Sequence, residues 1–217
     1  MEAANDVKIE FLQVGSIGSN CFIVCDEENG YSAIIDPGAD APRIASVFEK
    51  YKCPPKMILL THGHFDHIGA VHALQDQYHC QLAVSKDELS FLNNSKLNLQ
   101  DELSTEPFVP FHPDVLFSDG DTVEVGSMQF KVIETPGHTP GSACFLFGQL
   151  LFSGDTLFAG SMGRTDFPGG NAVAMAASLK KLALLPGNLK VLPGHGVFST
   201  LGAEKETNPY LTHGLTE

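Results

Sequence analysis

At 217 residues the chain is long enough to bury a full core, and its 43% hydrophobic and 18% charged content excludes both a disordered and a membrane-spanning composition. The formal net charge of −13, with only 13 Lys and Arg and no basic stretch, excludes a nucleic-acid-binding surface, because phosphate contacts need clustered cations. The five Cys form no Cys-x-x-Cys pair and mostly lie in strand-like runs, which reads as reduced core residues; Met1–Asp6 carries neither basic residues nor an apolar run, so a cytoplasmic protein without a signal peptide is expected.

In chain order, strands are predicted near 7–14, 20–26 and 31–36, a helix near 41–51, and a strand at 56–61. A helix near 68–78 and a short strand at 81–84 follow. Ser85 opens a further helix with Glu88 as its capping-box partner, and a polar irregular segment covers 93–114. The second half repeats the order, with strands near 122–126, 128–135, 143–147, 149–153 and 189–193, an Ala- and Leu-rich helix near 171–185 and a last helix near 200–207. Strands open each half and helices close it. The pattern fits an α/β protein with two mixed sheets packed face to face, and no linker divides the chain.

The strand at 56–61 runs directly into Thr61-His62-Gly63-His64-Phe65-Asp66-His67, three imidazoles and a carboxylate in six consecutive residues. Adjacent residues cannot all converge on one ion, so this density points to two metals. Three other apolar runs end in Gly- and Pro-built turns that carry the missing ligands: His138 in Thr135-Pro136-Gly137-His138, Asp155 in Ser153-Gly154-Asp155, and His195 in Pro193-Gly194-His195-Gly196. His62, His64 and His138 make one site, Asp66, His67 and His195 the other, with Asp155 as the bridge.

A single His at a strand end is ordinarily a hydrogen-bonded structural residue. Here five of the nine histidines and two aspartates fall in four such junctions, which favours metal ligation. His72, His79, His112 and His213 lack that context. Gly160-Ser161-Met162-Gly163-Arg164-Thr165 lacks the Lys-Ser/Thr end of a phosphate loop. Arg164 and Asp166 are expected to form an internal ion pair that fixes their loop. Gly15-x-x-Gly18-x-Asn20 precedes a strand and reads as a hairpin turn, and Ser142 and Ser153 show no nucleophile arrangement.

These motifs, together with Gly163-Arg164-Thr165-Asp166-Phe167-Pro168, resemble those of the metallo-β-lactamase fold superfamily. The opening Gly18-Ser19-Asn20-Cys21-Phe22-Ile23-Val24 and the closing segment 199–210 are similar to glyoxalase II. The resemblance implies an αββα sandwich with the metals at one edge, in one catalytic domain spanning 1–217 without the C-terminal helical domain of full-length glyoxalase II. It implies a dinuclear hydrolase acting on a thioester such as a hydroxyacylglutathione through a metal-bridging hydroxide, with Asp66 as catalytic residue orienting that hydroxide. Two divalent ions are expected, zinc first and iron or manganese as alternatives. Thr61 and Ser153 are candidates to orient the imidazoles. Carboxylates of glutathione need cationic partners, for which Arg164, Lys96, Lys180 and Lys181 are the candidates. The expected partner is a small-molecule thioester, with neither nucleic acid nor membrane, in a monomer or homodimer. A mononuclear iron persulfide dioxygenase using His62, His138 and Asp155, and a hydrolase of another small ester or lactone, remain as alternatives.

Overall fold

The structure, a computed structural model, describes residues 7–212. His213 and the N-terminal segment 1–6, read above for the absence of a signal peptide, lie outside the described residues. The first half runs β1 (Val7–Val14), β2 (Ser19–Asp26), β3 (Tyr31–Ile35), α1 (Ala41–Tyr51), β4 (Pro55–Leu59), α2 (Phe65–Ile68), α3 (Val71–Tyr78), β5 (Gln81–Ser85), a 3-10 turn at Lys86–Glu88, α4 (Leu89–Leu92), α5 (Gln100–Leu103) and β6 (Val115–Phe117). The second runs β7 (Thr122–Val125), β8 (Met128–Glu134), β9 (Ala143–Phe147), β10 (Leu150–Gly154), β11 (Leu157–Phe158), β12 (Ser161–Met162), α6 (Ala172–Ala183), β13 (Lys190–Pro193), β14 (Ser199–Thr200), α7 (Leu201–Thr207) and α8 (Pro209–Thr212).

One sheet has the order β1-β2-β3-β4-β5-β6, antiparallel as far as β3 and parallel beyond it. The other has the order β14-β13-β10-β9-β8-β7, in which only β10 and β13 are parallel. Strand β2 is buried at every position, because both faces of its sheet are covered and successive side chains enter opposite layers. Cys21, Ile23, Ile34 and Ile58 pack with Ile44 and Phe48 of α1 and Leu74 of α3. Their neighbours Phe22, Ile35 and Leu59 meet Phe130, Phe145 and Phe152 of the second sheet. That sheet's outer face, with Cys144, Leu151 and Val191, packs against Met175 and Leu179 of α6 and Leu201 of α7. The layers are therefore helix, sheet, sheet, helix, as expected, and no helix among the described residues is long and apolar enough to cross a membrane.

The differences from the sequence pattern are local. The helix expected at 68–78 is two pieces, α2 and α3, because the Ala70 amide donates to the Pro37 carbonyl, 2.9 Å away, instead of continuing the helical ladder. Ser85 does cap, accepting from the Asp87 amide at 3.2 Å, but Glu88 does not complete a capping box. Its carboxylate turns inward, into the candidate site. The short strands β6, β11, β12 and β14 were not expected from sequence, since two or three residues carry no periodicity and exist only through their pairing.

Phe152 is 1% exposed in the layer between the sheets and packs edge-on against Phe22, ring centroids 5.3 Å apart. Phe152→Ala should cost about 3–5 kcal/mol in urea unfolding; a loss below about 1 kcal/mol would show that the inter-sheet layer is not close-packed.

Candidate metal centre

Four strand ends meet at one edge of the sandwich. β4 delivers the 61–67 segment, β8 the turn holding His138, β10 leads directly into Asp155, and β13 leads into the turn holding His195. The turns need glycine for steric reasons. Gly154 has φ +47°, and a Cβ on Gly194 would lie 2.3 Å from Asp155 Oδ1 and 2.7 Å from His67 Cε1. Only a residue without a side chain lets His195 follow so closely on the Asp155 turn.

All seven sequence-predicted residues come together. The side-chain donor atoms of His62, His64 and His138 lie within 4.8 Å of one another, as do those of Asp66, His67 and His195. His64 Nδ1 is 2.9 Å from His138 Nε2, and His67 Nε2 is 3.3 Å from His195 Nε2. Asp155 lies between the trios, 3.5 Å from His138 Nε2 through Oδ2 and 3.5 Å from His67 Nε2 through Oδ1. Asp66 Oδ2 is 3.1 Å from His195 Nε2. His62 Nε2, His64 Nε2 and Asp155 Oδ1 are buried without any hydrogen-bond partner.

The ring orientations are set by neighbours on the far side of each imidazole. Asp36, 1% exposed, accepts from the Thr61 amide at 2.8 Å, the Thr61 hydroxyl at 2.6 Å and His67 Nδ1 at 3.0 Å. The Thr61 hydroxyl, having donated to Asp36, accepts from His62 Nδ1 at 3.1 Å. His138 Nδ1 donates to the Arg164 carbonyl at 2.8 Å. His62, His67 and His138 are thereby left with Nε2 directed at the centre. Thr61 thus fills its expected orienting role, whereas Ser153 does not: its hydroxyl donates to the Leu157 carbonyl.

Three further residues brace the loops. Ser19 donates to Asp66 Oδ2 at 3.0 Å. The Asn20 side-chain amide donates to the carbonyls of Pro193 and Gly196, at 3.0 Å each, and so brackets His195 from both sides. Glu88, fully buried, accepts from the Gly63 amide at 2.9 Å, the Thr139 hydroxyl at 2.9 Å and the Gly141 amide at 2.8 Å, joining the two loops of the first trio. Asp36 was legible in principle, because Ile34-Ile35-Asp36-Pro37-Gly38 repeats the apolar-run, acid and Gly/Pro pattern of the ligand turns. Glu88 carried no such signal and imitated a helix cap.

The electrostatics call for positive charge at this edge. Burial, reinforced by His67 and the other imidazoles, holds His62 neutral, and burial with His138 beside it lowers His64 to about 3. Burial opposes the charge of Asp66, yet His67, His195 and Ser19 outweigh it and keep the carboxylate ionised. Burial likewise opposes a proton on His67, but Asp66, Asp155 and Asp36 raise its pKa to about 10. Three carboxylates around this one buried imidazole therefore favour positive charge there.

A cleft of about 480 Å³ opens over His64, His138, Asp155 and His195, with Phe65, Leu99, Phe158 and Phe167 among its walls. The Arg164–Asp166 pair forms as expected, at 2.7 and 2.6 Å, but with side chains 56% and 66% exposed it lies at the mouth of the cleft and is not internal. A pair so exposed adds little to stability. His72 stacks on Phe111 and faces the Val109 carbonyl, outside the centre.

A family model described as the metallo-beta-lactamase superfamily matches residues 14–195. The hydroxyacylglutathione hydrolase GloC of Haemophilus influenzae is 34% identical over 94% of this chain and 98% of its own length. Among solved structures, the BLEG-1 B3 metallo-beta-lactamase has a TM-score of 0.88 at 35% identity, covering 94% of this chain and 100% of that one. TTHA1623 in a di-iron-bound form has a TM-score of 0.83 at 35% identity, covering 93% and 100%. ETHE1 from Myxococcus xanthus has a TM-score of 0.77 at 27% identity, covering 95% and 85%.

Burial lifts the Glu88 carboxyl from 4.5 to about 7, against the hydrogen bonds from Gly63, Thr139 and Gly141. A raised carboxyl pKa favours the fold fully below the unfolded value, and that contribution is lost as pH climbs to the folded one. In metal-free protein, stability relative to Glu88→Gln should therefore fall by about 3 kcal/mol between about pH 4.5 and 7.5. Urea titrations across that range that give a constant difference would show Glu88 ionised throughout.

Proposed function

The chain belongs to the metallo-beta-lactamase superfamily and is a metallo-hydrolase, and from that premise we propose that it is a dinuclear enzyme that hydrolyses a small acyl thioester. The observation that carries the reading is the pair of ligand trios with Asp155 between them. The donor set fits two divalent ions. Buried His62 Nε2 and Asp155 Oδ1 have no other partner, the inward-facing imidazole nitrogens are held there by Asp36, Thr61 and the Arg164 carbonyl, and no thiol takes part. His62, His64 and His138 would hold one ion, Asp66, His67 and His195 the other, and Asp155 both. Zinc, iron and manganese all suit imidazole and carboxylate donors.

When bound, such ions supply Lewis acidity and lower the pKa of coordinated water to about 7. The chain's own groups do the rest. Asp66, kept ionised and held by Ser19, accepts a hydrogen bond from the attacking water and so directs its lone pair toward the cleft. Phe65, Leu99, Phe158 and Phe167 grip an apolar acyl group and exclude bulk water. Among the described residues lining this cleft there is no Lys, Tyr or Cys to protonate a leaving group, and Asp66 is ionised. A thiolate needs such help least, because its conjugate acid is the strongest of the three, while an alkoxide needs it more and an amine most. This supports a thioester over an ester or lactam, as does the relative named as a hydroxyacylglutathione hydrolase. The mononuclear dioxygenase reading leaves Asp66, His67 and His195 without a task.

His67→Ala and His195→Ala should each remove one metal equivalent and lower thioester turnover by at least about a hundredfold, with His138→Ala inactive as the control. Full metal content with persulfide-dependent oxygen uptake in the first two variants would contradict the dinuclear hydrolase.

A further inference from the structure

Glutathione carries two carboxylates, and recognition of carboxylates in a partly desolvated cleft relies on Arg or Lys. Of the four cations that the sequence offered for this task, only Arg164 lines the catalytic cleft. Its fork is already committed to both Asp166 oxygens, and its guanidinium lies 3.8 Å over the Phe167 ring. Lys181 is engaged elsewhere, with Asp119 at 2.5 Å and the Glu134 carbonyl at 3.0 Å.

A second cleft, about 570 Å³, runs along the Val14–Ile17 turn and the 100–111 segment. Ile17, Phe65, Asp66 and Leu103 line both clefts, so the two meet at Asp66. The ionisable groups among the described residues that line the second cleft are Asp40, Asp66, Glu106 and His72, and none of those lining residues is Lys or Arg. Asp40 is paired with Arg43 at 3.0 Å, which leaves exposed Glu106 as the acid without an ion pair facing the space. The other polar lining is neutral, namely Ser16, Gln100, Ser104 and Thr105. Either volume accommodates one arm of a bipartite substrate.

We propose that the substrate spans both clefts, its acyl group in the apolar one and its thiol arm in the second, and that this arm is an amide-bearing thiol that is uncharged or carries an ammonium group. Rich in hydroxyl and amide groups, with Glu106 as its unpaired acid and no Lys or Arg among its lining residues, the second cleft satisfies peptide-like amides and an ammonium, while a dicarboxylate arm meets Glu106 and finds no cationic side chain on the walls. The net charge of −13 deepens that penalty for an approaching anion. The inference rests on the thioester reading and narrows it.

The test compares thioesters of one acyl group on glutathione, glutathione dimethyl ester, N-acetylcysteamine and N-glycylcysteamine, with metal-loaded protein at low salt. The three arms without carboxylates should exceed glutathione in kcat/KM by at least about tenfold, with a gap that narrows as salt screens it. Glu106→Lys should shift the ratio toward glutathione by at least about threefold. Equal or better turnover of the glutathione thioester than of its dimethyl ester overturns the proposal. If protein holding both metals cleaves none of the four, the thioester reading fails. The arm preference is then read from calorimetric binding of S-methylglutathione and its dimethyl ester: weaker binding of the diacid supports the charge argument, and equal or tighter binding overturns it.

Discussion

The carboxylate of Asp36 is the interaction on which the metal edge depends. A buried carboxylate is costly unless its oxygens are saturated with hydrogen bonds, and here both are, by the Thr61 amide, the Thr61 hydroxyl and His67 Nδ1. Those bonds fix the end of β3 against the end of β4. They also set the rotation of His67 directly and that of His62 through the Thr61 hydroxyl. One residue outside the ligand set therefore orients an imidazole in each trio.

Comparable devices operate on the remaining loops, each bridging segments remote in sequence. Asn20 reaches across 173 residues to Pro193, and Glu88 joins Gly63 to Gly141. The donor atoms are thus in position because both sheets are in position. In such an arrangement metal affinity and folding free energy are linked, since no cluster of this kind exists in the unfolded chain. The same dependence explains the close glycine contact beside His195, where any side chain would displace Asp155.

The clustered His and Asp residues were legible in the sequence because each segment that carries them follows an apolar run, in turns built mostly from Gly and Pro, a local pattern with a local cause. The layer order was legible for a similar reason: continuous burial of β2, β3 and most of β4 follows from strands covered on both faces. What escaped depends on distant partners. Glu88 fits a capping box by spacing, yet its oxygens face two loops more than twenty residues away. The Arg164–Asp166 pair was foreseen, but its exposure is a property of the loop's path across the cleft. The second cleft is made by the 100–111 segment, whose polar composition reads as an irregular stretch and whose role appears only where it faces Phe65 and Asp66.

The distribution of metal between the trios is the central claim, and one other grouping competes with it, since Asp36, His62 and His67 also bring their donor atoms within 4.8 Å of one another. Anomalous diffraction at the metal absorption edge, from crystals saturated with the ion, distinguishes the arrangements directly. Two peaks are expected, one among His62, His64 and His138 and one among Asp66, His67 and His195, with Asp155 between them. A single peak, or density centred on Asp36, His62 and His67, would contradict the dinuclear site.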